Sequence, residues 1–526
     1  EIAALSNSMS QSTSYKVSRR SFLARSTCAT MGINAMVNTL AHLRLMDAAA
    51  NTAGAGIGND YKALVCIFLR GGCDMNNVVI PIGANPQASA YQTDRGVVAV
   101  PEAQITNTKL NVPSAADQQF GLHPNCNNMA SMFNDGDLAF VTNVGTLAYP
   151  TDPGNYGTNV LPLQLFSHSD QVNEWMSSIS DKPFTSGWGG RIADLLHGDN
   201  QGSQTSMLIT AAGNNDFLVA PGASVPQYAV TTSGAISLAG YGLQNNPDPY
   251  ANALDANGNY LTNSTGRRLE AFERIMNFTH DHLLEEGYNT VVRRARENEA
   301  IITAATMEAA NLNVDYDAIW NTYNANHDLG NQLKMVAQLI AGRACLGNKR
   351  QIFFCDIGGF DNHQDIVQDL PDLLLEVDTA VGAFNQALKE MAVEDPDFSY
   401  NDVTVFESSD FNRTWTPNGN DANTSGTDHA WGTHAFLFGG AVQGGQVYGA
   451  FPELAVGGAD DVPSGSRGRW IPTTAVDQYA AVIAKWFGVE GNGTQGDQMA
   501  TILPNLSRFD SPFASGSGLE FLDLLS

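Results

Sequence analysis

Basic residues are scarce in this chain of 526 residues: 27 Lys and Arg stand against 54 Asp and Glu, a formal net charge of -27. The basic footprint that binds phosphate backbones is missing, so nucleic acid is not expected as a partner. The same acidity repels an anionic membrane surface and helps keep an exported protein soluble. Cysteine is sparse too, with six residues and no Cys-x-x-Cys pair, which excludes a zinc knuckle and a thioredoxin-like centre. Cys66, Cys73, Cys126, Cys345 and Cys355 read as buried thiols, and in an oxidising compartment one or two disulfides stay open. Apolar runs of about 20 residues, the length that spans a bilayer, are missing, so no stable membrane span is expected. Nucleotide chemistry finds no support, because Gly71-Gly72 and Gly358-Gly359 lack the spacing of a P-loop or a dinucleotide fingerprint. What is present is ordinary globular material: 43% hydrophobic and 9% aromatic residues argue against disorder over most of the length.

Near the start, Ser18-Arg19-Arg20-Ser21-Phe22-Leu23 reads as a twin-arginine export signal, followed by a weakly apolar stretch from Ala29 to Leu45 and by Ala48-Ala49-Ala50. Asn34, Asn38, His42 and Arg44 make that stretch too polar for a membrane anchor. The expected organisation is a signal peptide over 1–50, a linker over 51–60 and one large α/β domain over 61–526 with Asn/Gly-rich loop insertions. The expected location is the periplasm or outside the cell, reached by export in the folded state.

Ala63–Leu69 is a continuous apolar run, too short for a helix and rich in strand formers, and so reads as a strand buried on both faces. Similar runs recur at 138–141, 351–355 and 403–406, with helical patterns over 265–310, 328–346, 365–392 and 474–488. Strands alternating with helices predict a doubly wound, mostly parallel sheet. The Asn/Gly-rich stretches 211–265 and 416–427 read as long surface loops.

Open α/β sheets bind ligands beyond the carboxyl ends of their strands. Chemistry-bearing residues gather there: Asp74 after the first run, Asp361 and His363 after the third, and Asp410 and Arg413 after the fourth, followed by Asp428, His429 and His434. Carboxylate and imidazole together suit zinc or manganese. Asp361 and His363 alternate around Asn362, so in an extended loop they point the same way. Asp428 and His429 are adjacent; one of them ligates while the other supports it, or they serve two ions.

These segments, with Ser167-His168-Ser169-Asp170-Gln171 and Gly187-Trp188-Gly189-Gly190-Arg191, resemble domain-of-unknown-function family 1501 from about residue 60 to about 455. That family is similar in fold to the alkaline phosphatase and sulfatase superfamily. The resemblance implies one or two metal ions on Asp and His, with a Ser, Thr or modified Cys nucleophile at a helix start. Carried over, Asp74, Asp361 and His363 match the metal ligands, and Asp410 stands where Asp-His is usual. Phe411 replaces that His, and His429 or His434 supplies the imidazole. Ser167 is the chosen nucleophile, with His168 beside it and Ser169 and Thr146 as competitors. Arg70, Arg191 or Arg413 offsets substrate charge. The sulfatase Cys-x-Pro-x-Arg signature is absent, since Cys66-Ile67-Phe68-Leu69-Arg70 has Phe in the Pro position. The implied activity is metal-dependent hydrolysis of an anionic small-molecule or glycan ester, phospho- or sulfoester. The alternative is a non-catalytic envelope or secreted protein that binds a glycan or a partner protein through its loops.

Overall fold

The computed structural model describes residues 61–524 except 113–118, 201, 202, 204, 223, 224, 247, 278–282 and 464–466. The expected signal peptide and linker lie outside the described residues. Among the described residues twelve strands run in chain order: β1 (Lys62–Leu69), β2 (Val79–Pro81), β3 (Phe120–Leu122), β4 (Leu138–Gly145), β5 (Leu208–Thr210), β6 (Tyr228–Thr231), β7 (Gly234–Ala235), β8 (Arg350–Ile357), β9 (Val403–Ser409), β10 (Thr433–Phe438), β11 (Val447–Tyr448) and β12 (Thr474–Ala475). The helices that flank them are α1 (Asn127–Asp135), α2 (His168–Ser177), α3 (Trp188–Leu196), α4 (Leu283–Ala309), α5 (Asp328–Ala341), α6 (Ile366–Glu394) and α7 (Val476–Phe487).

Among the described residues the main sheet has ten strands in the order β11-β4-β10-β9-β1-β8-β5-β6-β7, with β12 beside β4. Its centre is the predicted apolar run. Every residue of β1 from Ala63 to Leu69 is buried, because successive side chains point to opposite faces and both faces are covered. Ala63, Val65, Ile67 and Leu69 join a core with α1, α5 and α6, whereas Leu64, Cys66 and Phe68 join a second core with α3 and α7. The five described cysteines are free thiols, four of them buried and Cys345 partly so.

The α/β architecture is as expected, but the sheet is mixed. Strands β9, β1, β8, β5 and β6 run parallel, while β10 lies antiparallel to both β9 and β4. The reason is the connection. A parallel neighbour needs a crossover to the far end of the sheet, and residues 410–432 supply no helix to make one. The chain stays on the rim where β9 ends, so β10 starts there and runs back. That places the residues before β10 at the same rim as those after β1, β4, β8 and β9.

The stretch 211–265 is not all loop: it carries the short strands β6 and β7, and residues 239–275 belong to a separate compact unit. Within that unit Tyr241 packs on Tyr250 with ring centroids 6.3 Å apart, and the Arg268 guanidinium lies over Tyr241. Among the described residues no helix is long and apolar enough to cross a membrane.

Candidate metal centre

Four rim segments meet. Asp361 and His363 follow β8, Asp410 and Arg413 follow β9, Asp428 and His429 precede β10, and His168 opens α2 after the long loop from β4. Arg413 and His429 are held side by side by an isolated antiparallel bridge. Thr414 N–H donates to Asp428 O and Ala430 N–H to Asn412 O on either side of it. Close approach of the β1 and β8 loops requires Gly71: at φ 110°, a Cβ there would stand 2.5 Å from the Asp361 nitrogen. Gly72 similarly leaves room for the Phe411 ring, which a Cβ would meet at 2.5 Å.

His168, Asp361 and His429 bring one donor atom each to within 4.8 Å of one another. The Asp361 Oδ1 atom lies 3.3 Å from His168 Nε2, 3.4 Å from His429 Nε2 and 3.0 Å from His363 Nε2. On the far side of each ring Nδ1 meets an acceptor: Asp410 Oδ2 at 2.7 Å for His168, Asp428 Oδ1 at 2.9 Å for His363 and the Phe166 carbonyl at 2.7 Å for His429. Carbonyls and ionised carboxylates accept only, so each Nδ1 carries the proton, and in a neutral ring Nε2 is left as a lone pair facing inward. The Nε2 atoms of His363 and His429 are only 2.8 Å apart. Two lone pairs at that separation repel unless a proton or a cation stands between them.

The supporting groups are themselves anchored. Gly71 N–H donates to Asp410 Oδ1 at 3.0 Å, and Arg467 pairs with Asp428. Phe166 adopts φ 74°, rare for a bulky residue, and the turn aims its carbonyl at His429. Phe411 lies 4.8 Å from the His168 ring and 4.7 Å from the His429 ring, walling the cluster on its apolar side. Electrostatics follow from these contacts. Partial burial works against the Asp361 charge, yet the Arg413 guanidinium at 2.8 Å and the facing imidazoles hold its carboxyl below the usual range. The Asp410 hydrogen bond raises His168, whereas burial lowers His429. Burial likewise opposes the Asp428 charge, but His363 and Arg467 keep its carboxyl low.

The remaining residues singled out from sequence lie elsewhere or are otherwise engaged. Asp74 is fully buried and pairs with Arg95, which the sequence reading did not consider. His434 is fully buried, accepts from Asn143 N–H at 3.2 Å and stacks on Phe451, and burial lowers it to about 3. Ser167 precedes His168, and its hydroxyl donates to Asp170 Oδ2 at 2.6 Å. Ser169 lies within 3.3 Å of the same carboxylate oxygen, and Thr146 is buried and accepts from Gln171. Arg413 is fully buried, clamped to Asp361, Gly71 O and Thr427 O. Arg70 pairs with Asp356, and Arg191 donates to the backbone carbonyls of Ser177, Ser186 and Ile502. Phe166, Arg467 and Arg469 were missed. Arg467 and Arg469 lie beyond the last strand-end motif, and a carbonyl contribution such as that of Phe166 leaves no side-chain signature.

The fold and this cluster define an α/β protein with a histidine-rich centre at the rim of a mixed sheet. The chain belongs to the family described as protein of unknown function (DUF1501), whose model matches residues 61–464. Comparison with curated proteins gives no match.

Proposed function

We propose that the chain is an exported metal-dependent hydrolase of an anionic ester, phospho- or sulfoester, built on an alkaline-phosphatase-like fold. The observation that carries this reading is the convergence of three Nε2 atoms on Asp361 Oδ1, with each ring turned by an acceptor at its Nδ1. Metal-binding histidines are oriented in this way. The donor set fits zinc or manganese. His168 Nε2 is a buried atom with no hydrogen-bond partner, which an ion would satisfy. Ligands at about 2.0–2.2 Å from one ion stand about 3.4 Å apart at tetrahedral angles, close to the 3.3 and 3.4 Å separating Asp361 from His168 and His429.

His168, Asp361 and His429 would hold the ion, with His363 beside them. A divalent ion in that position supplies Lewis-acid polarisation of an ester oxygen. Asp410, Asp428 and the Phe166 carbonyl fix the tautomers, and Arg413 keeps Asp361 ionised. Asp361 remains 48% exposed, so the cluster is open to a substrate. Ser167 is the side chain proposed as nucleophile, and Asp170 is positioned to accept its proton. The Arg19-Arg20 motif supports export after folding, a route that suits a chain loaded with an ion in the cytoplasm.

Elemental analysis of purified protein, followed by assay on p-nitrophenyl phosphate, bis-p-nitrophenyl phosphate and p-nitrophenyl sulfate, tests the reading. Bound zinc or manganese and hydrolysis of one probe are expected, both lost in Asp361→Ala and His429→Ala. Metal-free, inactive protein that resists reloading would sink it. The non-catalytic alternative would then stand, because Arg413 already neutralises Asp361 without an ion.

A further inference from the structure

We infer that Arg469 is the oxyanion-binding residue of this centre and selects a tetrahedral phosphoryl or sulfuryl group; this rests on the metal reading above. Arg469 is joined directly to the cluster: its Nε donates to the His429 carbonyl at 2.8 Å. Its guanidinium lies 4.6 Å from the centre of the Phe166 ring, and Phe166 is the residue whose carbonyl holds the His429 imidazole. The side chain is partly buried and fixed at two points, the His429 carbonyl and the Phe166 ring, and its two terminal nitrogens make no hydrogen bond or ion pair among the described residues, although the Asp428 and Asp461 carboxylates act on its charge from further off.

The other two arginines of the site differ. Arg413 is fully buried and spends its terminal nitrogens on Asp361, Gly71 and Thr427. Arg467 spends its own on Asp428 and Thr416. Arg469 alone of the three presents an uncommitted planar pair of donors, in the geometry that matches two oxygens of a tetrahedral anion. A positive fork beside an inward-facing imidazole set supplies what the -27 net charge withholds, a local attraction for an anionic ester.

The test uses zinc-loaded full-length protein, with inorganic phosphate and inorganic sulfate titrated separately by calorimetry into wild type, Arg469→Met and Arg469→Lys. Zinc stoichiometry and the thermal midpoint are measured in parallel. The expected result is unchanged zinc content in all three, with anion affinity reduced at least tenfold in Arg469→Met and partly restored in Arg469→Lys. The preferred anion of the wild type separates a phosphoryl from a sulfuryl site. Zinc-loaded wild type that binds neither anion, or Arg469→Met that binds as tightly as wild type, overturns the assignment while leaving the metal centre intact. Wild type that takes up no zinc overturns the metal reading itself.

Discussion

Asp74 and Arg95 are both closed to solvent and face one another. A carboxylate so placed is bound by its guanidinium, and removing it strands a buried cation. Asp74→Ala is therefore expected to lower unfolding free energy by about 3–5 kcal/mol, read from urea denaturation. On the proposed metal reading, protein that does fold should keep its full metal content, whereas a ligand role for Asp74 would show as metal lost. His434 makes the complementary case. Its ring is buried and neutral against Phe451, so on the proposed metal reading His434→Phe should leave bound metal unchanged, while His429→Ala should remove most of it. Elemental analysis of the two variants side by side decides between them. Sequence could not separate these histidines. His429 and His434 both flank the start of β10, and only the direction each side chain takes there distinguishes a rim group from a core group.

At the scale of elements, the apolar runs were legible because burial on both faces removes polar alternation. The four predicted strands are β1, β4, β8 and β9, and the helical periodicities reappear in α4, α5, α6 and α7. Strands β5, β6, β11 and β12 span four residues or fewer, too few for a period to register. α2 carries a property that no motif announced. It presents His168 at one end and buries Glu174 further along, where burial pushes the carboxyl up to about 8 from 4.5. A raised carboxyl is protonated in the folded state and ionised in the unfolded chain between those values, so the folded state holds the extra proton. Stability should accordingly fall as pH rises from about 4.5 to about 8, by at most about 1.4 kcal/mol per pH unit from this group. Glu174→Gln should reduce that slope, measured by denaturant titrations between about pH 5 and pH 8. An unchanged slope would assign it to other buried acids, such as Asp477, which burial raises to about 7.

At the scale of the molecule, the candidate site was legible as a list of strand-end residues and not as an arrangement. Strand-end logic named Asp361, His363, Asp410, Asp428 and His429, which lie together at one rim because a sheet delivers the residues beyond its strands there. It placed Asp74 with them, since nothing in the chain shows that Arg95 folds back to cover it. It left out Arg469, which reaches the rim from beyond the last motif. The charge balance bears on this rim as a whole. A net charge of -27 repels an anionic ester at long range, and the repulsion extends about 30 Å at 0.01 M salt but only about 10 Å at 0.1 M. If the global field governs encounter, kcat/KM for p-nitrophenyl phosphate should rise several-fold between those salt concentrations. A neutral carboxylic ester should show little change. If instead Arg469 and a bound ion dominate the approach, salt screens an attraction and kcat/KM falls. In that case Arg469→Met should make the fall shallower, because the attraction of the bound ion then stands alone against the repulsive field.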